Sequence, residues 1–596
     1  MIRSRWYLVP SIAVLGSLAV WVAAAQAGGS PAQPVTGQIP TFEANANLVL
    51  LDVVVRDKGK PVEGLKESDF QVFEDGKPQA ITTFEEHKAT DVQESAQAPP
   101  PLGPHVYTNF PKYRITSAAN VLLLDALNTP LNDQTDARAQ MLKYLGTIPA
   151  GTQIAVFTLA SHLRMISGFT TDVGTVEKAL DLDRTPAQQS IMVDPSGDVA
   201  ERQIREEMTA GIPEMKEEVN DFQGDRQAFQ QAQRMGITLG AFSELARYLS
   251  TVPGRKNLIW VSGGLSGALD PDLSRMSGTQ AARFAPAIRT VNAELARARV
   301  AVYPVDARAL MNLRDANPAN AVAPTEMGVK HDLQASEGEA VENDITVPQQ
   351  WADSQQEMKL VATDTGGAAF YNTNAVGKAV EAAIADGENY YTLAYAPHEE
   401  ENGAYRRILV RLDEGKYDLQ YRRGYYATDL RQAAKEAPML SPMTDAMEPG
   451  VPPLSQLIFE ARVLAAGDPE LYGVQPAPGP AGKPTEPLTP PITRYIVDYS
   501  IDPHELALKT LPDGGRQAEL EVTQAVYAAG GKRVNSTDVG LGVTLPAAQL
   551  ARDMQSGVRV RQEIDVPAGP VWLTLGVRDA TSGRIGTVEV GLNGRE

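Results

Sequence analysis

The chain has 596 residues, enough for about four domains of roughly 150 residues each. It contains 54 Lys and Arg against 74 Asp and Glu, and the formal net charge of −20 argues against binding to nucleic acid or to anionic lipid through a basic surface. It contains no cysteine, which excludes disulfides, cysteine nucleophiles, thiolate zinc sites and iron–sulfur clusters.

The first 27 residues have the pattern of an export signal. Arg3 and Arg5 precede an uncharged stretch at residues 6–25, and Ala25-Gln26-Ala27 fits a signal-peptidase site. We therefore predict a signal peptide at 1–27 and a mature chain in the periplasm, on the cell surface or outside the cell. The alternative is a retained membrane anchor, because about 20 such residues just span a bilayer. No other run approaches that length, so no further membrane contact is predicted.

Two β-rich segments flank the middle of the chain. A Gly/Pro-rich linker at 28–44 precedes the first, at 45–86, and a Pro-rich linker at 87–116 follows it. The second segment, 387–427, alternates apolar and polar residues as half-buried strands do. Because each segment is too small to bury a core alone, we predict that they pair into one β-module with the intervening domain inserted into it.

Residues 117–386 have a different pattern. Uninterrupted apolar runs at 121–124, 154–157, 257–261 and 300–305 alternate with helical spacing. Such runs are typical of strands buried on both faces, and their alternation with helices predicts an α/β domain with a doubly wound, mostly parallel, Rossmann-like sheet. After a third linker at 428–454, strand and turn signals in 455–596 predict a C-terminal β-sandwich.

Several motifs resemble one family in their order along the chain. Asp125-Ala126-Leu127-Asn128-Thr129 follows the first apolar run and resembles the D-x-S-x-S motif that opens the metal site of the von Willebrand factor A (VWA) domain. Further stretches resemble the secreted, VWFA-related acidobacterial type: residues 53–57, 64–65, 69–70, 169–172, 253–262, 302–308, 365–367, 390–391 and 423–426. The resemblance covers about residues 45–427 and implies protein–protein recognition or adhesion rather than catalysis.

The resemblance also implies a metal-ion-dependent adhesion site at the carboxyl ends of the strands. Asp125 matches its first aspartate and Thr129 its second hydroxyl, and Thr185 is the positional candidate for its distant threonine. Ser262 stands where its late aspartate is expected. Leu127 stands where the first serine is expected, so the predicted site is degenerate. Its ion is Mg²⁺, or Ca²⁺ or Mn²⁺, and no organic cofactor is implied.

A partner-binding rim is predicted beside that site, formed by Asn128, Gly263 and Gly264. In this interpretation Asp125 lies at the open rim formed by the carboxyl ends of the strands, where it meets another protein outside the cytoplasm. The alternative is that Asp125 caps the next helix or bonds to Asn128 and Thr129, without a metal ion.

Enzyme signatures are weak. Residues 264–268 nearly match the nucleophile elbow around Ser266, but Ala268 replaces the final glycine. We therefore expect an exported adhesion or recognition protein and not an enzyme. The second hypothesis is a metal-independent periplasmic scaffold, and a hydrolase is the third.

Overall fold

The computed structural model describes residues 48–88, 102–111, 118–129, 131–146, 148, 151–182, 213–263, 278–307, 355–371, 375–398, 402–413, 415–428, 442–471 and 475–592. The predicted signal peptide at 1–27 and the linker at 28–44 lie outside them. All the described residues belong to one compact unit, Asn47–Glu596.

The strands in chain order are β1 (Val49–Asp57), β2 (Lys60–Pro61), β3 (Phe70–Glu74), β4 (Lys77–Gln79), β5 (Ile81–His87), β6 (Val106–Thr108), β7 (Ala119–Asp125), β8 (Ile154–Leu159), β9 (Leu163–Thr170), β10 (Lys256–Ser262), β11 (Val300–Asp306), β12 (Tyr390–Tyr395), β13 (Tyr405–Leu412), β14 (Asp418–Gln420), β15 (Gly424–Tyr426), β16 (Phe459–Ala465), β17 (Ile492–Ile501), β18 (Lys509–Thr510), β19 (Arg516–Ala528), β20 (Arg533–Leu545), β21 (Val558–Pro567), β22 (Val571–Asp579) and β23 (Ile585–Leu592). The α-helices are α1 (Leu131–Leu145), α2 (Val173–Leu182), α3 (Pro213–Ser250), α4 (Gly278–Arg297), α5 (355–365), α6 (Ala375–Glu388), α7 (Pro442–Ala446) and α8 (Leu550–Ser556).

A five-stranded sheet in the order β11–β10–β7–β8–β9 forms the centre of the α/β domain. The first four strands are parallel, and β9 runs antiparallel to β8 at the edge. Every residue of β7, β8, β10 and β11 is buried, which accounts for their uninterrupted apolar sequences. The predicted α/β class is confirmed, and the sheet is mixed because of β9.

Helices cover both faces of this sheet. One face is packed by α3, α4 and α5, and the other by α1, α2 and α6. Each helix contributes fully buried side chains to the core beneath it: Phe242, Ile288 and Val361 on one face, and Met141, Val176 and Ala379 on the other. Within the described ranges, no helix combines the length and the apolar character needed to cross a membrane.

The segments 45–86 and 387–427 share two sheets. In one, β1 lies between β12 and β14, and β12 also pairs with β5. In the other, β13 pairs with β3 and β15. The two segments bury one common core, which includes Val53, Phe70, Leu393 and Val410. We call this unit the β-module.

Two antiparallel sheets form a sandwich in the C-terminal part. One has the order β21–β17–β16–β6, and the other has the order β18–β19–β22–β23 with β20 paired to β19. Their inner faces enclose a single core that includes Val497, Val522 and Leu573. The sandwich therefore uses β6, a strand that comes before the α/β domain in the chain.

The structure corrects two of the predicted linkers. Residues 87–116 contain β6, which pairs with β16, and residues 428–454 contain α7. Met443 of α7 and Leu454 are buried in the core beside α3. The Pro-rich composition suggested spacers, but these short segments complete a sheet edge and fill a gap between domains. The sandwich is consequently packed against the α/β domain rather than held at a distance.

Candidate functional site

Asp125 is the last residue of β7, and only 1% of its surface is exposed. Its Oδ1 accepts the backbone N–H of Asn128 at 2.9 Å. Its Oδ2 accepts hydrogen bonds from Asn128 Nδ2 (2.8 Å), Trp260 Nε1 (3.0 Å) and Ser262 Oγ (3.0 Å). Since Trp260 and Ser262 belong to β10, the carboxylate ties the ends of two neighbouring parallel strands together. The expectation that Asp125 faces an open edge is therefore corrected, because the carboxylate is turned inward.

The loop after β7 forms hydrogen bonds to the residue after β10 and to helix α3. Thr129 Oγ1 accepts the backbone N–H of Gly263 at 2.8 Å, and Asn128 Nδ2 also donates to Thr238 Oγ1 of α3 at 3.0 Å. The Oδ1 atom of Asn128 is buried and has no hydrogen-bond partner in the described part of the chain. One acceptor of this otherwise satisfied cluster is thus left over.

The structure brings together five of the residues singled out from the sequence: Asp125, Asn128, Thr129, Ser262 and Gly263. The predicted ligand Thr185 and the predicted rim residue Gly264 lie outside the described residues. Sequence reasoning missed Trp260 and Thr238. Trp260 lies two residues before Ser262 on one strand, so the two side chains point to the same face. That spacing becomes informative only once β10 is known to lie beside β7.

Burial dominates the electrostatics of Asp125. It raises the pKa of this carboxyl above its usual value, and the hydrogen bonds from Asn128, Ser262 and Trp260 offset only part of the effect. Burial lowers the pKa of Arg234 on α3, and the charge of Asp125 opposes that shift. Asp125 is therefore an internal acid with a cation in electrostatic reach.

The described residues do not fit a divalent cation. Mg²⁺ requires a near-octahedral set of oxygens and keeps several waters, so it needs carboxylate oxygens that solvent can reach. Asp125 is buried, and its oxygens accept four hydrogen bonds. Leu127 is buried where a hydroxyl ligand is expected, and Ser262 donates to Asp125 where a second acid is expected. Among the described residues, no group of three or more His, Asp or Glu side chains is arranged to hold a metal ion.

The position of the cluster in the sheet is informative. From β7 the chain continues to β8 on one side, whereas β10 lies on the other side of β7. The carboxyl ends of β7 and β10 therefore flank a topological switch point, where open α/β sheets bind their ligands. Asp125 and Ser262 are the last residues of these two strands.

A second polar cluster lies at the opposite ends of the strands, and we call it the amino-end cluster: Arg255, Asn257, Tyr303, Asp386 and Gln420. Arg255 is 2% exposed, and it donates to Asn257 Oδ1 (3.1 Å) and to the Tyr303 hydroxyl (3.0 Å). The Tyr303 hydroxyl in turn donates to Asp386 Oδ2 at 2.7 Å. Asp386 has no exposed surface.

The amino-end cluster joins the β-module to the α/β domain. Gln420 of β14 donates to Asp386 Oδ2 at 2.9 Å, and Arg56 of β1 forms an ion pair with the same carboxylate. Nearby, Arg299 and Asp52 form a second ion pair between α/β domain and β-module. Charged groups buried this deeply are tolerated because they are paired and hydrogen-bonded.

Several motifs behind the family resemblance contribute residues to this joint. The stretches 253–262, 302–308, 365–367 and 390–391 contribute Arg255, Tyr303, Gly366 and Tyr390. Arg255 Nη2 donates to the carbonyl oxygen of Gly366 at 2.7 Å, and the Arg255 backbone N–H donates to the Tyr390 hydroxyl at 3.3 Å. These residues therefore hold two modules together rather than form a site at the carboxyl ends.

Lys256 gives this joint a measurable pH dependence. The pKa of Lys256 is lowered to about 7, mainly by burial and in part by the charge of Arg299, while Asp52 opposes the shift. Its Nζ donates to the carbonyl oxygens of Val252 (2.7 Å) and Gly254 (2.9 Å). Above pH 7 the unfolded chain binds more protons at this lysine than the folded chain, so its contribution to stability rises with pH.

We expect the free energy of unfolding to rise more steeply from pH 7 to about pH 9 in the unmodified protein than in Lys256→Met. Urea unfolding at several pH values measures both slopes. Equal slopes would show that Lys256 keeps its ordinary pKa in the folded protein.

No protein-family model matches the chain, and no curated protein matches it. Among solved structures, an aerotolerance-related membrane protein from Bacteroides fragilis is similar at 13% identity over 45% of this chain and 98% of that chain, with a TM-score of 0.21. A von Willebrand factor type A structure from Catenulispora acidiphila is similar at 8% identity over 60% of this chain and 77% of that chain, with a TM-score of 0.22. Both TM-scores are too low for either likeness to bear on fold or function.

Proposed function

We propose that this chain is an exported protein of VWA type that binds another protein at the switch point between β7 and β10, without a metal ion. The ordered motifs over residues 45–427 support the family, and the export pattern of residues 1–27 supports a location outside the cytoplasm. A sheet with helices on both faces and an aspartate ending its central strand is the arrangement that the resemblance predicts. The action is recognition rather than catalysis.

One observation supports this proposal above the others: the two strands that flank the switch point are tied by Asp125. Its carboxylate already accepts hydrogen bonds from Asn128, Trp260 and Ser262. It is therefore suited to fixing the carboxyl ends of β7 and β10 and not to holding an ion or a substrate. The loop that carries Asn128 and Thr129 leaves one acceptor, Asn128 Oδ1, without a donor.

We expect binding of a partner, captured from envelope extract by the full chain, to be insensitive to EDTA. We also expect Mg²⁺, Ca²⁺ or Mn²⁺ to leave the melting temperature unchanged. An ion present at a hundred times its dissociation constant would stabilise the fold by about 2.7 kcal/mol, an effect that calorimetry resolves easily. A higher melting temperature with metal, lost in Asp125→Asn, would contradict a metal-free site.

Protein prepared from the native host should begin at Gly28.

Variants at the switch point test the binding surface itself. Asn128→Ala removes the bonds to Asp125 and Thr238, and Thr129→Ala removes the bond to Gly263, so both variants should reshape this loop and weaken the captured complex by about tenfold. Glu63→Ala, an exposed change in the β-module, is the control and should leave affinity unchanged. Unchanged affinity in all three variants would move the binding surface elsewhere.

A metal-independent periplasmic scaffold is the second candidate. It is favoured by the buried ion pairs of the amino-end cluster and by the packing of the sandwich against the α/β domain. In that case Asn128→Ala and Thr129→Ala leave partner binding unchanged, whereas substitutions on the surface of the sandwich abolish it.

A further inference from the structure

A cavity of about 410 Å³ lies where the α/β domain meets the C-terminal sandwich. It is lined by residues 158–164 around the β8–β9 turn, by residues 448–450, and by β19, β22 and β23 of the sandwich. Small-ligand pockets have volumes of about 300–1,000 Å³ and occur preferentially at domain interfaces. The cavity has the size and the location of a binding pocket.

Tyr527 of β19 is the most informative side chain of this pocket. It is 2% exposed, lines the cavity, and its hydroxyl has no hydrogen-bond partner in the described part of the chain. Burial raises the pKa of Tyr527, the carboxylates of Glu448 and Glu589 add to that effect, and the charge of Arg533 opposes it. The hydroxyl therefore lies near two acids of the pocket, with its hydrogen-bonding capacity unused.

The charge of the pocket is negative. Across the described residues, the Glu448 side chain has no hydrogen bond or ion pair, whereas Glu589 accepts the backbone N–H of Gly450. Burial lowers the pKa of His162, whose ring lies against the Pro449 carbonyl, and so disfavours the charged form of this histidine. Arg164 contributes one positive charge against two carboxylates.

An aromatic surface completes the pocket. Trp572 of β22 is 39% exposed and lines the cavity beside Tyr527. Gly530 and Gly531 form the turn after β19 with positive φ angles of 99° and 79°, and they place no side chain over this side of the pocket. A cation is attracted both to the face of an indole ring and to carboxylates.

We infer that this pocket binds the cationic end of a lysine or arginine side chain presented by a peptide. Glu448 and Glu589 pair with the cation, Trp572 packs against it, and the Tyr527 hydroxyl accepts one of its N–H groups. The inference rests on the proposed function only for the source of that side chain, a protein partner. Binding of a short peptide is measured without the partner, so the two proposals fail independently.

The test is calorimetric titration of the full chain with acetyl-Gly-Arg-Gly-amide and with the same peptide carrying citrulline. Citrulline keeps the shape of arginine and removes its charge. We expect the arginine peptide to bind and the citrulline peptide to bind at least about tenfold more weakly, because hydrogen bonds to charged groups are the stronger ones. Affinity for the arginine peptide should also fall as salt concentration rises.

Surface variants assign the effect to the pocket. Glu448→Gln should weaken the arginine peptide about tenfold, and Trp572→Ala about threefold. Glu519→Gln on β19, an exposed acid outside the pocket, should leave affinity unchanged. Equal affinity for the citrulline peptide, no detectable binding of the arginine peptide, or equal effects of Glu448→Gln and Glu519→Gln would overturn the inference. Melting temperatures show that each variant is folded.

Discussion

Replacement of Asp386 by alanine is expected to lower the free energy of unfolding by about 3–5 kcal/mol, the usual result of breaking a buried pair by removing one partner. The Asp386 carboxylate has no exposed surface. It accepts hydrogen bonds from Tyr303 and Gln420, and it forms an ion pair with Arg56. Alanine removes the acceptor of the Tyr303 hydroxyl and the ion-pair partner of Arg56, whereas Gln420 keeps the carbonyl oxygen of Gly366 as an acceptor. Urea unfolding of both proteins at neutral pH measures the difference.

Glu381→Ala is the matched control for this change. It removes a carboxylate from the same helix, α6, but the side chain is exposed, so the expected effect is within about 0.5 kcal/mol. Asp386→Asn keeps one acceptor oxygen and should lie between the two. If Asp386→Ala cost no more than Glu381→Ala, the amino-end cluster would not be what joins the β-module to the α/β domain.

Replacement of Gly367 by alanine is expected to cost about 3 kcal/mol or more, at the upper end of the usual penalty for overpacking. A Cβ atom built on Gly367 would lie 1.9 Å from the carbonyl oxygen of Val302 on β11. Backbone must therefore move, since neither atom belongs to a flexible side chain. Thermal and urea unfolding should both show the loss.

Gly591→Ala provides the comparison for that single methyl group. Gly591 lies in β23, and a Cβ there meets no atom within 4 Å. Alanine at this site should be neutral or stabilising by about 0.5–1 kcal/mol, because glycine loses more backbone entropy on folding. Similar effects at both positions would show that the close approach at Val302 relaxes at little cost.

The amino-acid pattern determines most of the local structure. Uninterrupted apolar runs identify β7, β8, β10 and β11, because a strand covered on both faces has no polar side. Alternation identifies β13, where buried and exposed residues follow each other. These signals are visible in sequence because they repeat every two to four residues.

The surroundings of Asp125 could not be obtained in the same way. The sequence places this acid at a strand end, but its burial depends on Trp260 and Ser262, which lie 135 and 137 residues further along the chain. Its inward orientation follows from the register between β7 and β10. The amino-acid sequence alone does not distinguish a degenerate metal motif from an internal, hydrogen-bonded acid.

Other features that the sequence did not predict also depend on contacts between distant segments of the chain. Residues 106–108 contain too few residues to show a strand period, and they become β6 only because the edge of β16 offers unpaired backbone groups. The pocket around Tyr527 draws on segments separated by hundreds of residues. Local periodicity encodes which residues form strands and helices, whereas tertiary packing decides which distant side chains meet, because those contacts depend on how whole elements are placed against one another.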